Sequence, residues 1–346
     1  MTNNIYYIDI CLASDGNYIP YMCATMLSVL KNSLENEYVT FHLLISEYDL
    51  TDDIKNNILD LQNIKKCTIK FYNPDLDKCK KFMEKSINKN WPLSAFYRLQ
   101  IPSLIKDVDK LLYLDCDMIV TTNLSQLFCI DMEDNLAIVT DSIEPKTLSY
   151  NKSRINFKEE DTYFCSGFLL MRNKIFIEEN FEKKYDECLK SIDVLYTADE
   201  DILNIILKNK VKFIENEWAY IVSKWFYQNP IPLEEIKIIH YGGPYEKPWK
   251  ETSVMGFYYL EWWKYFVETI WFKESPIYYI DILIKQNINI YDINIKSYIE
   301  NINTEIALLK NKKSLFDYIF SIREDIKYKY IIIFGIKITI KNKGVY

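Results

Sequence analysis

Leu111-Leu112-Tyr113-Leu114-Asp115-Cys116-Asp117 runs four apolar residues into two acids one residue apart. A short apolar run of this kind reads as a buried strand, here from Leu111 to Val120. Three comparable runs precede it, at Ile5 to Ala13, Val39 to Ser46 and Cys67 to Tyr72. Helical patterns lie between them. Met22, Met26, Leu27 and Leu30 follow Pro20 at helical spacing, and Thr51 can cap a helix carrying Ile54, Ile58 and Leu61. Ser94 to Ile105 reads as a further helix. Strands alternating with helices predict an α/β architecture with a Rossmann-type, mostly parallel central sheet. Ligands of such sheets sit beyond the carboxyl ends of the strands. That rule points to the loop Asp15-Gly16-Asn17-Tyr18 and to Asp115–Asp117.

Further strand patterns occur at Leu136 to Asp141, Phe164 to Arg172 and, last, Ile236 to Tyr241. A helix is expected to begin at Asp199 and to carry Ile202, Leu203, Ile206 and Leu207. Beyond Gly256 the pattern turns helical, first through Trp262, Trp263, Phe266 and Ile270, then through Ile295, Tyr298, Ile299, Ile302, Ile306 and Leu309. The expected division is an α/β domain over 1–255, a helical region over 256–322 and a tail over 323–346.

The chain has 346 residues, 49% hydrophobic and 26% charged, which suits one large core with an appendage rather than a disordered chain. A net charge of −7 argues against a nucleic-acid partner. From Ile326 to Tyr346 there are five lysines and no acids, so a tail of +5 within a total of −7 leaves −12 on the rest. The tail interleaves these lysines with Tyr328, Tyr330 and isoleucines. It reads either as a stretch lying on an anionic membrane surface or as an edge hairpin around Gly335 with solvated lysines. Eight cysteines without a C-x-x-C pair, and a start lacking a basic region before an apolar run, lead to the expectation of reduced thiols in a cytoplasmic protein. No apolar run approaches the roughly 20 residues of a membrane span.

Side chains two apart on a strand share a face, so this reading brings Asp115 and Asp117 together. Paired carboxylates repel unless a cation lies between them. Mg²⁺ and Mn²⁺ bind in this way, through one or two carboxylates plus substrate phosphates. A solvated strand end is the plainer alternative. Histidine occurs only at His42 and His240. His42 lies inside a strand pattern and reads as a satisfied core or surface residue. His240 opens His240-Tyr241-Gly242-Gly243-Pro244-Tyr245-Glu246-Lys247-Pro248-Trp249. A neutral imidazole there can be a third metal ligand, the glycines admit an anion close to backbone, and Lys247 offers it a point charge. Taken alone, that segment reads as a Gly-Pro turn with a surface lysine.

Five blocks in order resemble the retaining glycosyltransferases of family 8, the group of glycogenin and the bacterial lipooligosaccharide galactosyl- and glucosyltransferases. They are Ala13 to Tyr18, Phe96-Tyr97-Arg98-Leu99, Leu112 to Asp117, Asp199 to Asn204, and His240 to Trp249. The resemblance spans roughly residues 5 to 250. It implies a GT-A-like catalytic domain and transfer of galactose or glucose from a UDP-sugar to a glycan or lipid-linked glycan acceptor, as in lipopolysaccharide synthesis. By the same resemblance, Ala13, Asp15 and Asn17 contact uridine, with Tyr18 stacking nearby, and Arg98 approaches the donor sugar or diphosphate. Asp115, Asp117 and His240 hold Mn²⁺, with Mg²⁺ as the substitute, while Gly243 and Lys247 bind phosphates. Asp199 and Glu200 lie near the anomeric centre as the catalytic pair, and Asp141 and Ser166 join the donor contacts.

Three positions depart from the family pattern. Glu200 stands where Gln is common, Cys165 where Asn is common, and one extra residue separates Gly243 from Lys247. A carboxylate at 200 makes a covalent route conceivable; front-face substitution with Glu200 as electrostatic support is the favoured expectation. Two rival classes remain, a metal-dependent nucleotidyltransferase and a non-catalytic carbohydrate- or nucleotide-binding module. The first lacks its glycine- and lysine-rich loop here, since Leu12 to Tyr18 holds one glycine and no lysine. All three metal-ligand candidates weigh against the second.

Overall fold

A computed structural model of the chain describes residues 5–141, 145–222, 230–243, 247–251, 258–288, 320–324, 328–333 and 336–341. The chain enters through β1 (Tyr6–Ser14), whose last five residues are all buried. The helix Ile19–Asn32 carries Pro in its first turn, where no backbone N–H is needed, and it returns the chain to β2 (Glu37–Ile45). Thr51 caps the next helix, Asp52–Leu59, through the Ile54 N–H, and the chain then reaches β3 (Thr68–Tyr72). β4 (Leu111–Leu114) is laid on the other side of β1. That reversal of direction between β2 and β4 is a topological switch, and it opens a crevice beyond the carboxyl ends of β1 and β4.

The seven-stranded sheet has the order β3-β2-β1-β4-β7-β6-β8, with β6 at Ala137–Thr140, β7 at Phe168–Met171 and β8 at Val211–Ile214. Its first four strands are parallel, whereas β7 runs antiparallel to both β4 and β6. β8 is again parallel to β6. The sheet is thus mostly parallel, with one reversed strand.

Two readings of the sequence are corrected here. Leu111 to Val120 is not one strand. β4 ends at Leu114, and β5 (Met118–Val120) joins a second sheet of order β5-β10-β9, where β9 is Tyr220–Ile221 and β10 is Ile238–His240. The turn at Asp115-Cys116-Asp117 carries the chain between them, fixed where Thr25 Oγ1 donates to the Cys116 carbonyl at 3.0 Å. Ser94 to Ile105 is likewise not one α-helix. It is a 3₁₀ segment, Leu93–Gln100, followed by the α-turn Ile101–Leu104. Pro102 has no N–H for a continuous α-ladder, so the tighter helix precedes it.

Alternating strand residues feed two cores. Ile8, Ile10, Leu12, Leu112 and Phe168 face one side, packed with Met22, Met26, Trp218, Trp262, Trp263 and Phe266. Cys11, Ala13, Tyr113, Leu169 and Val139 face the other, with Phe96, Leu99, Phe181, Tyr185 and Ile202. The helices Tyr259–Phe266, Ile270–Glu274 and Pro276–Ile288 follow the expected helical pattern and share the first core. The stripe from Ile295 to Leu309 and the boundary at 255 lie outside the described residues.

Strand pattern does not end at Tyr241. β11 (Phe320–Glu324), β12 (Tyr328–Ile333) and β13 (Ile336–Lys341) form an antiparallel sheet, and β11 crosses the expected boundary at 322. The β12–β13 pairing has the form of the hairpin reading, and Ile338 packs on the first core. All eight cysteines are free thiols. Among the described residues no helix is long and apolar enough to cross a membrane.

Candidate active site

Three elements deliver the acids and the imidazole to the crevice. Asp115 follows β4, Asp117 precedes β5, and His240 ends β10, paired directly with Met118. Each offers one ligand atom, and these atoms lie within 4.8 Å of one another. His240 Nε2 is 3.3 Å from Asp117 Oδ1 and 3.8 Å from Asp115 Oδ2. Among the described residues, neither Asp117 Oδ1 nor His240 Nδ1, both buried, has a hydrogen bond. Two carboxylates and an imidazole form a hard, oxygen-rich donor set suited to Mn²⁺ or Mg²⁺. The orphaned Asp117 oxygen is the observation that fits these residues to such an ion.

Gly167 makes room for this cluster. A Cβ there would sit 2.5 Å from Asp115 Oδ2 and 2.9 Å from His240 Cε1. The strand pattern over Phe164 to Arg172 does not by itself give Gly167 a part in the site. Its partner strand supplies the signal, because the Asp115 N–H donates to the Gly167 carbonyl at 2.9 Å and the two backbones run side by side.

Charge is balanced locally. Burial opposes ionisation of Asp117, yet Lys247 and His240 hold its carboxyl well below the usual range. Lys247 Nζ donates to Asp117 Oδ2 and to the Tyr241 carbonyl. The extra residue before Lys247 therefore does not keep it from the cluster, although its contact is an acid. Gly243 takes the left-handed φ of +81°, with open space where a Cβ would stand.

Arg98 is buried on the other side of Asp115. Its guanidinium reaches Asp115 Oδ1 at 2.7 Å and the Ser166 carbonyl at 2.7 Å, with Asp199 Oδ2 at 3.1 Å. The group lies 4.3 Å from the centre of the Tyr113 ring, and the Tyr113 hydroxyl donates to Asp115 at 3.1 Å. Burial lifts the Asp199 carboxyl to about 6, with Arg98 opposing the rise and Asp115 adding to it. Burial likewise lifts Glu200 to about 7, against hydrogen bonds from Ser166 and Tyr163. Glu200 Oε2 accepts from the Ser166 N–H at 3.1 Å, and Oε1 accepts from the Tyr163 hydroxyl at 2.8 Å.

Asp199, Glu200 and Asp201 open the helix Asp199–Ile206, as the sequence pattern predicts. Asp201 does more than complement the helix dipole. Its Oδ2 accepts from the Tyr196 and Thr197 N–H groups at 2.6 and 3.1 Å. These bonds close the turn around Ala198, which holds φ +53° without being glycine.

At the other edge of the crevice, Asp15 Oδ1 accepts from the Asn17 and Tyr18 N–H groups at 2.9 and 3.1 Å. Ala13 lies at the end of β1, its carbonyl 3.1 Å from Cys116 Sγ. Tyr18 meets Trp249 edge-on, and Tyr21 stacks on Trp249 with ring centres 4.0 Å apart. Asp141 is exposed just past β6 and leaves the sheet at the same edge as Asp115. His42 is the satisfied histidine expected, bonded to Asp9 at 2.8 Å and Tyr72 at 3.0 Å.

Known proteins resemble this arrangement. A Haemophilus influenzae relative is 31% identical over 247 residues, 68% of this chain and 72% of its own. The lipopolysaccharide 1,3-galactosyltransferase of Salmonella typhimurium is 24% identical over 253 residues, 70% of this chain and 72% of its own. The crystal structure of galactosyltransferase LgtC, in complex with donor and acceptor sugar analogues, superposes with a TM-score of 0.65 at 22% identity. That match covers 76% of this chain and 96% of the other, and it shows the GT-A-like fold. Residues 9–253 match the model of glycosyl transferase family 8, so the chain belongs to that family and is a glycosyltransferase.

Proposed function

We propose that the chain is a retaining, Mn²⁺-dependent hexosyltransferase that moves galactose or glucose from a UDP-sugar to a glycan acceptor of surface polysaccharide, such as lipopolysaccharide. The carrying observation is the convergence of ligand atoms of Asp115, Asp117 and His240 within 4.8 Å, beside Arg98, which pairs with both Asp115 and Asp199. The first group suits a metal-bound diphosphate and the second a sugar.

When bound, Mn²⁺ supplies positive charge opposite the departing diphosphate. Asp115, Asp117 and His240 would hold it. Arg98 fixes Asp115 and Asp199 in one orientation, so neither acid reorganises during reaction. Lys247 lies against Asp117 and gives the phosphates a second cation, with Gly243 leaving its backbone open to them. Ala13, Asp15 and Asn17 bind uridine, and Tyr18 borders it. Asp141 and Ser166 contact sugar hydroxyls. Glu200 stands near the anomeric carbon and gives the developing positive charge dipolar support through a carboxyl oxygen, while the acceptor oxygen enters on the face UDP leaves. The domain carrying this chemistry is 1–255, with the helices Tyr259–Phe266, Ile270–Glu274 and Pro276–Ile288 completing its core.

The test is a panel of UDP-sugars with Mn²⁺, read by UDP release and by the anomeric configuration of the product. UDP release with retention supports the reading. Release of sugar 1-phosphate in place of UDP would make the chain a nucleotidyltransferase, and donor binding without turnover would make it a binding module.

The tail adds a location. We infer attachment of a cytoplasmic enzyme to the inner face of the membrane, because the stretch from Ile326 to Tyr346 carries five lysines and no acids. Sedimentation with anionic liposomes should fall for Lys337→Glu/Lys341→Glu; equal binding sinks the idea.

A further inference from the structure

Four oxygens form a line between two acids. Glu200 Oε1 is 2.8 Å from the Tyr163 hydroxyl, which is 2.9 Å from Thr197 Oγ1, which is 2.5 Å from Asp201 Oδ1. Each of these three contacts has hydrogen-bond length and needs one proton, whereas the Tyr163 hydroxyl lies 3.4 Å from Asp201 Oδ1, long for an O–H···O bond. The two hydroxyls supply two. If both acids were ionised, Tyr163 would donate to Glu200 and Thr197 to Asp201, and the 2.9 Å contact between the hydroxyls would hold no proton. Buried polar oxygens do not face one another in that way at little cost. A third proton fills the line.

Its place follows from the remaining donors. Asp201 already receives two backbone N–H groups at Oδ2 and the Thr197 hydroxyl at Oδ1, the surroundings of a carboxylate. Glu200 Oε2 receives a single backbone N–H, from Ser166. The other titratable groups facing Glu200 are Tyr163 and Cys165, from the segment before β7, and Asp199 and Asp201, from its own helix. The nearby cation, Arg98, is committed to Asp115 and Asp199.

We propose that Glu200 is a neutral carboxylic acid whose O–H donates to Tyr163, with Tyr163 donating to Thr197 and Thr197 to Asp201, so that Glu200 offers its surroundings the donor and acceptor pattern of a carboxamide. This explains how glutamate stands where glutamine is common in the family. The Ser166 N–H meets the carbonyl-like oxygen, and the hydroxyl takes the place of the amide N–H. Tyr163 and Thr197 are positioning residues that act through Glu200. Burial raises the Glu200 carboxyl to about 7, which agrees with the proton count.

The inference rests on the family 8 reading only for the meaning of the site, and it is tested on the full chain without donor or metal. Infrared difference spectra between wild type and Glu200→Gln should show a carboxylic acid carbonyl band at about pH 6 that is lost by about pH 8, either side of the value near 7. Thr197→Val leaves Tyr163 free to donate to Glu200, and the midpoint should drop by about one pH unit, a tenfold change in ionisation. Thr197→Ser should restore it, which a merely structural role would not require. A wild type without the acid band, or a midpoint unmoved in Thr197→Val, overturns the proposal. In turnover assays Glu200→Gln should keep activity within about tenfold and lose the alkaline limb of the pH profile. If Glu200→Gln falls as far as Asp115→Asn, the carboxamide stand-in is overturned. Wild type inert toward every UDP-sugar would instead refute the functional reading, and the infrared result would stand apart from it.

Discussion

The two faces of the seven-stranded sheet contribute to the crevice in different ways. One face is packed with large rings. Tyr21, Trp249, Trp262 and Phe266 form a continuous stack, with centres 4.0, 5.1 and 4.5 Å apart in sequence. From this face come His240, Lys247 and, through β5, Asp117. The other face contributes Arg98, which donates to the Ser166 carbonyl and pairs with Asp199, and Glu200, which accepts from the Ser166 N–H and the Tyr163 hydroxyl. Asp115 lies between the two, bonded to Arg98 and facing His240. Rigid aromatic packing therefore sets the side proposed for metal and phosphate, and a directional polar network sets the side proposed for the sugar.

The comparison breaks most severely if the ring stack is cut. Trp262 is fully buried between Trp249 and Phe266. Trp262→Ala should destabilise the fold by about 3–5 kcal/mol, read by denaturant unfolding. Because Trp249 loses its neighbour, the nearby Lys247 should loosen with it, and donor affinity should fall in whatever fraction stays folded. Next in size is the loss of a ligand atom. Asp117→Asn keeps the shape but removes the charge that Lys247 and His240 face, and turnover should fall about 10²–10³-fold. Addition of excess Mn²⁺ would not recover it.

Gly167→Ala asks whether the two faces must approach as closely as they do. The added methyl would overlap Asp115 Oδ2 and crowd His240. Mn²⁺ affinity, measured by calorimetry, should drop about 10–100-fold while unfolding changes little, since the residue sits at a strand start and not in the ring stack. An unchanged affinity would mean that Asp115 is not a ligand.

How much of this was legible follows the same division. Parallel strands buried on both sides announce themselves as short apolar runs, so β1 to β4 and the two loops at their ends were readable. The convergence of Asp115 and Asp117 was foreseen for a mistaken reason. The chain leaves the strand after Leu114, and a turn pinned by Thr25, with the pairing of β5 to β10, brings the acids together. No local pattern reports a contact made across 91 positions. Gly167, Tyr113 and Tyr163 were missed because their roles depend on neighbours distant in sequence, and a buried tyrosine looks like any other core ring until its hydroxyl partner is known. The hairpin β12–β13 was one of two readings of the tail, since alternating lysine and isoleucine suits a strand and an interfacial stretch alike, and β11 was not foreseen.

The smallest expected effect sharpens the account of what joins the C-terminal helices to the sheet. Lys31, near the end of the helix Ile19–Asn32, pairs with Glu268, which follows the helix Tyr259–Phe266. Both side chains are more than a third exposed, at 34% and 39%, so water screens the pair and holding two long side chains in place offsets part of the gain. The same two helices meet through Tyr21 against Trp262 and Phe266, and the Asn32 side chain donates to the Tyr265 hydroxyl at 2.8 Å. Lys31→Ala should therefore change unfolding free energy by less than about 1 kcal/mol, several times less than Trp262→Ala. If the ion pair proved as costly to remove as the ring, charge rather than aromatic packing would fasten these helices, and the contrast between the two faces would fail at its first premise.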